Sequence, residues 1–262
     1  MYNRRKAFTL VELLVVISII ALLLAILMPS LQKARGQAQS VICKSNLRQW
    51  SLIFRMYLDE HKERFMNGYA GDTTGMPNNP RCRLWMTALD PYIKAGASGN
   101  NIRLCPKATK STLERALHPF AAYEQGPAAV YRWFPVGWKS SYGMNSYLYD
   151  LDPSIRNLVR PASDSWRTAN QKGSSDIPVL MDAAFDSGWP LEDNAPPLWN
   201  GYIASSEIQR FCIDRHDGTN VLFLDLSVKK IGLKKLWELK WHKSFDTNKK
   251  TWDGRWPGWM KN

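Results

Sequence analysis

The sequence predicts an α+β protein in which a long N-terminal helix, apolar over its first half, continues into a head that carries a small antiparallel sheet. Three observations predict it. Residues 8–28, FTLVELLVVISIIALLLAILM, hold twenty-one residues and one charge, Glu12. Beyond them, apolar side chains recur at three- and four-residue spacings as far as Tyr57, the period of a helix with one buried face. Towards the other end, residues 215–231, RHDGTNVLFLDLSVKKI, read as a hairpin with a polar turn.

Taken in order, the apolar run comes first. At 1.5 Å per residue such a helix is roughly 30 Å long, the thickness of a bilayer's hydrocarbon core, so it spans a membrane. Arg4, Arg5 and Lys6 precede it and hold that flank on the cytoplasmic side, which places the rest of the chain outside. The apolar core of a secretory signal peptide is only about 7–15 residues, so this run is too long to be one. Glu12 is its informative residue, since a carboxylate within an apolar helix is costly unless neutralised or paired. Pro29 removes one rung of the hydrogen-bond ladder and predicts a kink.

From residue 30 to 57 the helix continues with a stripe formed by Leu31, Ala34, Ala38 and Val41, then Leu47, Trp50, Phe54 and Tyr57, expected to pack on the head. Lys33, Arg35, Lys44 and Arg48 lie on its other faces, and Gly36 weakens it without ending it. The helix gives out over 62–67, and the Gly-, Pro- and Asn-rich residues after it read as a loop. Residues 84–93 form a short helix or turn ending near Pro91, and 102–106 lead into a further loop. Short strands are expected at 128–133 and 141–149, a better one at 177–182 (IPVLMD), and a loop over 186–201. The hairpin of 215–231 turns at 225–227. A basic amphipathic helix comes next at 233–242, and the Trp-rich residues 252–260 close over the domain.

The run Lys6-Ala7-Phe8-Thr9-Leu10-Val11-Glu12 resembles the processing site of type IV prepilins and type II secretion pseudopilins, with Ala7 where the family usually has Gly. The resemblance implies a pilin-like fold and cleavage between Ala7 and Phe8 by a prepilin peptidase/methyltransferase. It also implies N-methylation of Phe8 and pairing of Glu12 with the terminal amine of an adjacent pilin or pseudopilin subunit. The segments 85–92 (W-x-x-x-L-x-P-Y) and Cys105-Pro106 resemble those found after the long helix in prepilin-like proteins. The hairpin resembles their C-terminal processing-associated domain, whose pattern is His, nine residues, then Asp-Gly. Here eight residues separate His216 from Asp225, and Leu226 stands in the place of the Gly, where it disfavours a primed turn. On this reading 1–7 is a cleaved leader, 8–28 the transmembrane and assembly helix, 29–62 its outer half, and 63–262 the head. The protein is then placed in a bacterial inner membrane as a single pass, with the head periplasmic or on the cell surface.

The chain carries a formal charge of +12; removing Arg4, Arg5 and Lys6 leaves 32 basic against 23 acidic residues, a net +9. No nucleic-acid-binding motif accompanies the charge, so it reads as a solvated basic surface and no nucleic-acid partner is expected. Cys43, Cys82, Cys105 and Cys212 lie beyond the span, in an oxidising setting, and are disulfide candidates with three connectivities open. None of them has the C-x-x-C spacing of a zinc site, so no metal is assigned to them. The twelve tryptophans read mainly as core material, with stacking on sugars as the alternative.

There is no H-E-x-x-H, G-x-S-x-G or Walker loop, and the four histidines are scattered, so no enzyme is expected. His216 with Asp217, Asp225 or Asp182 admits an acid/base pair or metal cluster; a hydrogen-bonded histidine fixing the start of the hairpin is the plainer reading. Calcium, held by Asp182 and Asp186 in an acidic group with Glu192 and Asp193, is the one cofactor left open, although EF-hand spacing is lacking. Together these features predict a structural subunit processed at Phe8 that joins a type II secretion pseudopilus or type IV pilus-like filament. The alternative is a membrane-tethered glycan-binding protein that does not polymerise.

Overall fold

The computed structural model describes residues 9–68, 84–94, 101–113, 118–124, 137–151, 153, 160–202, 206–249 and 254–260. Ala7, Phe8, Cys82 and the strand expected at 128–133 lie outside the described residues. The chain divides into two compact units, Met1–Gln39 and Ser40–Asn262, and α1 (Leu10–Glu60) begins in the first and ends in the second.

Within the first unit the helix runs unbroken through Pro29 and Gly36. From Leu10 to Met28 every large apolar side chain is 45–78% exposed, and the helix is long and apolar enough to cross a membrane. Its few polar side chains turn back onto the helix itself. Ser18 Oγ donates to Val15 O at 2.8 Å and Ser30 Oγ to Leu27 O at 2.7 Å, which suits surroundings without water.

In the second unit α1 buries Cys43, Asn46, Leu47, Trp50, Ile53, Phe54, Tyr57 and Leu58. The expected stripe is therefore present from residue 43 onward. Leu31, Ala34, Ala38 and Val41 are exposed instead, because helical spacing marks a face without saying what covers it. Trp50 meets Trp85 edge to face, with ring centroids 5.3 Å apart. Trp85 opens α2 (Trp85–Lys94), which continues through Pro91 rather than stopping at it. Its last turn is held by buried Ile93 and by the Tyr92 hydroxyl, which donates to Glu60.

The strands are β1 (Lys110–Leu113), β2 (Ala121–Glu124), β3 (Lys139–Ser140), β4 (Tyr142–Asn145), β5 (Pro178–Asp182), β6 (Ser187–Gly188), β7 (Thr219–Phe223) and β8 (Val228–Ile231). The first three form one sheet, with β1 parallel to β2 and β3 antiparallel to it. The other five form the main sheet in the order β6-β4-β5-β7-β8, antiparallel except for the β4–β6 pair. β4, β5 and β7 are buried at every residue, as near-continuous apolar strands covered on both faces must be.

The hairpin departs from a two-residue primed turn. Phe223 N–H donates to Ser227 O and Leu226 N–H to Phe223 O, both at 2.9 Å, which closes a three-residue loop with Leu226 left-handed at φ 66°. Leucine thus takes the conformation for which glycine is suited. The segment expected as an amphipathic helix is a 3₁₀ helix, Leu233–Glu238. Leu233, Leu236 and Leu239, all buried, repeat every three residues and so align on a three-residue turn. Tryptophan serves mainly as core: Trp50, Trp85, Trp138, Trp166, Trp189, Trp237 and Trp241 are buried, and the tail docks through Trp259 Nε1–H to Pro197 O at 3.0 Å.

Candidate functional site

Two places gather the residues singled out by the sequence. At the start of α1, Thr9 and Glu12 form a reciprocal cap. Glu12 Oε2 accepts from Thr9 N–H and from Thr9 Oγ–H, each at 2.8 Å, and Glu12 N–H donates to Thr9 Oγ at 3.2 Å. This is a capping box, which satisfies amide groups that a helix start leaves without partners. The Thr-x-x-Glu spacing of Thr9 and Glu12 is its signal in the sequence. Among the described residues nothing engages the other carboxylate oxygen, Oε1.

The second place lies inside the head, where Cys43, Cys105, Asp182 and His216 converge. Cys43 stands on the buried face of α1. Two neighbours on that face, Asn46 and Trp50, donate to Leu104 O at 3.0 Å and Ile102 O at 2.9 Å, which fixes the segment carrying Cys105. Cys105 N–H donates to Ser141 Oγ at 2.6 Å. Asp182 ends β5, and His216 sits in the loop entering β7. That loop is tightly built: Asp214 Oδ1 accepts Gly218 N–H at 2.9 Å, Asp217 is left-handed at φ 55°, and Gly218 has φ 127°. A Cβ on Gly218 would lie 2.3 Å from Ile231 O, so only glycine lets β8 pass here.

Cys105 Sγ lies 3.0 Å from His216 Nε2, and Cys43 Sγ lies 3.8 Å from both Asp182 oxygens. The Tyr142 hydroxyl donates to Cys43 Sγ at 3.3 Å. Asp182 is held by Arg215 Nη1–H at 3.2 Å and Asn220 N–H at 3.2 Å. Arg215, fully buried, also donates to the carbonyls of Pro119, Ser141, Ala121 and Ala183 at 2.5–2.9 Å. A buried guanidinium satisfied in this way balances the Asp182 charge, which would otherwise be very costly inside the core. His216 Nδ1, Thr219 Oγ1 and the side-chain amide of Asn220 are buried without a protein partner among the described residues.

Burial pushes the Cys43 thiol up, and its hydrogen bond with Cys105 and the charge of Asp182 push the same way. Cys105 moves down. Burial opposes its ionisation, but the hydrogen bonds with Cys43 and His216 and the charge of Arg215 outweigh that.

Of the acids considered beside His216, the fold brings it Asp182 alone. Asp217 is exposed, and Asp225 caps the hairpin turn by accepting from Ser227 N–H at 3.0 Å and Ser227 Oγ at 2.6 Å. The pair considered for calcium is split between two environments. Asp182 faces Arg215 and two sulfurs, whereas Asp186 accepts from Ser187 Oγ at 2.9 Å and is pushed up by burial. A hard ion that takes six to eight oxygens finds no such donor set in the thiol-lined cluster. Cys43, Cys105 and Cys212 are free cysteines in the structure; Cys212 is buried apart from the cluster, and burial and Asp214 push its thiol up. Arg215, Tyr142 and Asn220 had no spacing signal in the sequence, because only the packed sheet brings them to the cysteines.

Residues 2–28 match the prokaryotic N-terminal methylation motif. Over 75 residues the chain is 36% identical to the type IV wide pilus major component PilA4 of Thermus thermophilus, an alignment that covers 29% of this chain and 57% of that protein. The chain thus spans little more than half the length of that relative. No solved structure matches it. By its N-terminal motif and this likeness the chain is similar to prepilins.

Proposed function

We propose that this chain is a structural subunit, cleaved between Ala7 and Phe8 and methylated on the Phe8 amine by a prepilin peptidase, which assembles through α1 into a type IV pilus-like or secretion-pseudopilus filament. The observation that carries the reading is the apolar half of α1, bare along its whole length and opened by a carboxylate within a methylation motif. An apolar rod of this kind rests in a bilayer as a single subunit and is covered by other rods in an assembly, where packing and polar pairing replace lipid contacts. In the isolated subunit Glu12 is satisfied by Thr9 through one oxygen, and the other faces the amine of a neighbouring copy once assembly begins. The head projects on the outer side of a bacterial inner membrane, and the chain does its work by assembly, without catalysis.

The test is Glu12→Ala in the native host. Membrane insertion is expected to be unchanged, while recovery of the subunit in sheared filaments falls at least tenfold, on the scale of a lost charge pair in a dry interface. The mature N-terminus by mass spectrometry is expected to be methyl-Phe8. Undiminished recovery of the variant, or a native protein that keeps residues 1–7, overturns the reading.

A further inference from the structure

Cys43, Cys105, Asp182 and His216 are far apart in the chain, and each is delivered by a different element: α1, the segment after the Asn101–Arg103 turn, the end of β5, and the loop before β7. All four are buried, and their donor atoms lie within 4.8 Å of one another. We propose that they form a binding site for one zinc ion, which ties the outer part of α1 to the main sheet of the head.

The spacing fits a tetrahedral ion. Zinc–sulfur bonds of about 2.3 Å and zinc–nitrogen or zinc–oxygen bonds of about 2.0 Å set ligand–ligand edges of roughly 3.3–3.8 Å. Cys43 Sγ lies 3.8 Å from the Asp182 oxygens, and His216 Nε2 lies 3.8 Å from Asp182 Oδ2. The Cys105–His216 contact of 3.0 Å opens by roughly half an ångström to admit the ion. Two sulfurs, an imidazole nitrogen and a carboxylate oxygen in this arrangement select zinc over calcium or magnesium, which take six or more oxygens.

Charge and second-layer contacts agree. Binding releases to solvent whatever thiol protons remain, and one doubly charged ion offsets the two thiolates it binds, so the sulfurs are not left as uncompensated buried anions. Arg215 and the Asn220 amide orient Asp182, the Tyr142 hydroxyl points at Cys43 Sγ, and Ser141 fixes the backbone at Cys105. Outer contacts of this type hold metal ligands in place before the ion arrives. A Cys43–Cys105 disulfide is the competing use of the two sulfurs; it would leave Asp182 and His216 facing a neutral bridge.

The experiment uses the full chain, extracted in detergent and purified without chelators or an immobilised-metal column. Elemental analysis is expected to give about one zinc per chain. Cobalt(II) added to the chelator-stripped protein is expected to give thiolate-to-cobalt charge-transfer absorption with the strong visible bands of a tetrahedral site. Cys212→Ala, outside the cluster, should keep both signals; Cys105→Ser should lose about half of the charge-transfer intensity, since one of two thiolates remains. Wild-type protein that carries no zinc and gives no cobalt spectrum overturns the proposal, whatever the variants do. So does a Cys43–Cys105 disulfide found by mass spectrometry in the unreduced native protein, or a spectrum unchanged in Cys105→Ser. The outcome is independent of whether the chain forms filaments.

Discussion

Residues 10–39 and 40–60 of α1 belong to one continuous helix, yet they meet the same physical demands by different means. In the first stretch the apolar side chains from Leu10 to Met28 are bare, and the polar ones are satisfied within three residues, Glu12 by Thr9, Ser18 by Val15 and Ser30 by Leu27. In the second, Cys43, Leu47, Trp50, Phe54 and Tyr57 are 5% exposed or less, and the polar partners of Cys43 lie as far as 139 residues away, at Asp182. Local satisfaction makes a segment self-sufficient as a helix but leaves its surface to be covered by lipid or other chains. Tertiary satisfaction makes the other segment meaningless outside the head.

The strongest way to break that contrast is Arg215→Met. It strands Asp182 as an uncompensated buried charge, and a loss of about 3–5 kcal/mol is expected, read as a lowered midpoint in a thermal melt followed by near-UV circular dichroism. A cleaner pair sets one leucine against another on the same helix. Leu47→Ala should cost about 2–5 kcal/mol of head stability, whereas Leu22→Ala should leave the melting of the head unchanged; equal effects would erase the distinction between the two stretches. Smaller is Leu226→Gly, which relieves a left-handed residue at the hairpin. It should raise stability by up to about 1 kcal/mol, since a left-handed non-glycine residue is strained by about 1–2 kcal/mol, while Leu226 is only 37% exposed and some packing is lost.

The smallest effect is expected at Asp186, whose carboxyl is pushed up chiefly by burial. A group raised in the fold is most favourable to folding when protonated, so its contribution is retained below the ordinary Asp range and lost as the pH rises through its folded value. Asp186→Asn should therefore stabilise the head near neutral pH, with the advantage closing as the pH is lowered into the carboxylate range. An advantage that grows with acid would reverse the assignment.

The α+β plan was legible because its strongest signals are local. The apolar run at 8–28, the stripe from Leu47 to Tyr57, and the strands at 177–182 and 219–223 each declare themselves within a few turns or residues. Local spacing misled where neighbours decide. Leu31 to Val41 keep a helical stripe without burying it, and Leu233, Leu236 and Leu239 carry a period of three that suits a 3₁₀ turn rather than an α-helix. The Thr9–Glu12 box was in plain view as Thr-x-x-Glu. The four-residue cluster was not, because Cys43, Cys105, Asp182 and His216 share no spacing and meet only when α1, β5 and the loop before β7 have packed.

Arg215 has a consequence for the order in which the head is completed. Its guanidinium occupies carbonyls at Pro119, Ala121, Ser141 and Ala183, all earlier in the chain. A polypeptide emerging amino end first exposes these oxygens long before their donor exists. Until residue 215 has been made, water must serve them, and the interior around β2, β4 and β5 lacks its central donor. A chain cut short of this arginine would leave those four carbonyls and Asp182 without the donor that serves them in the folded head.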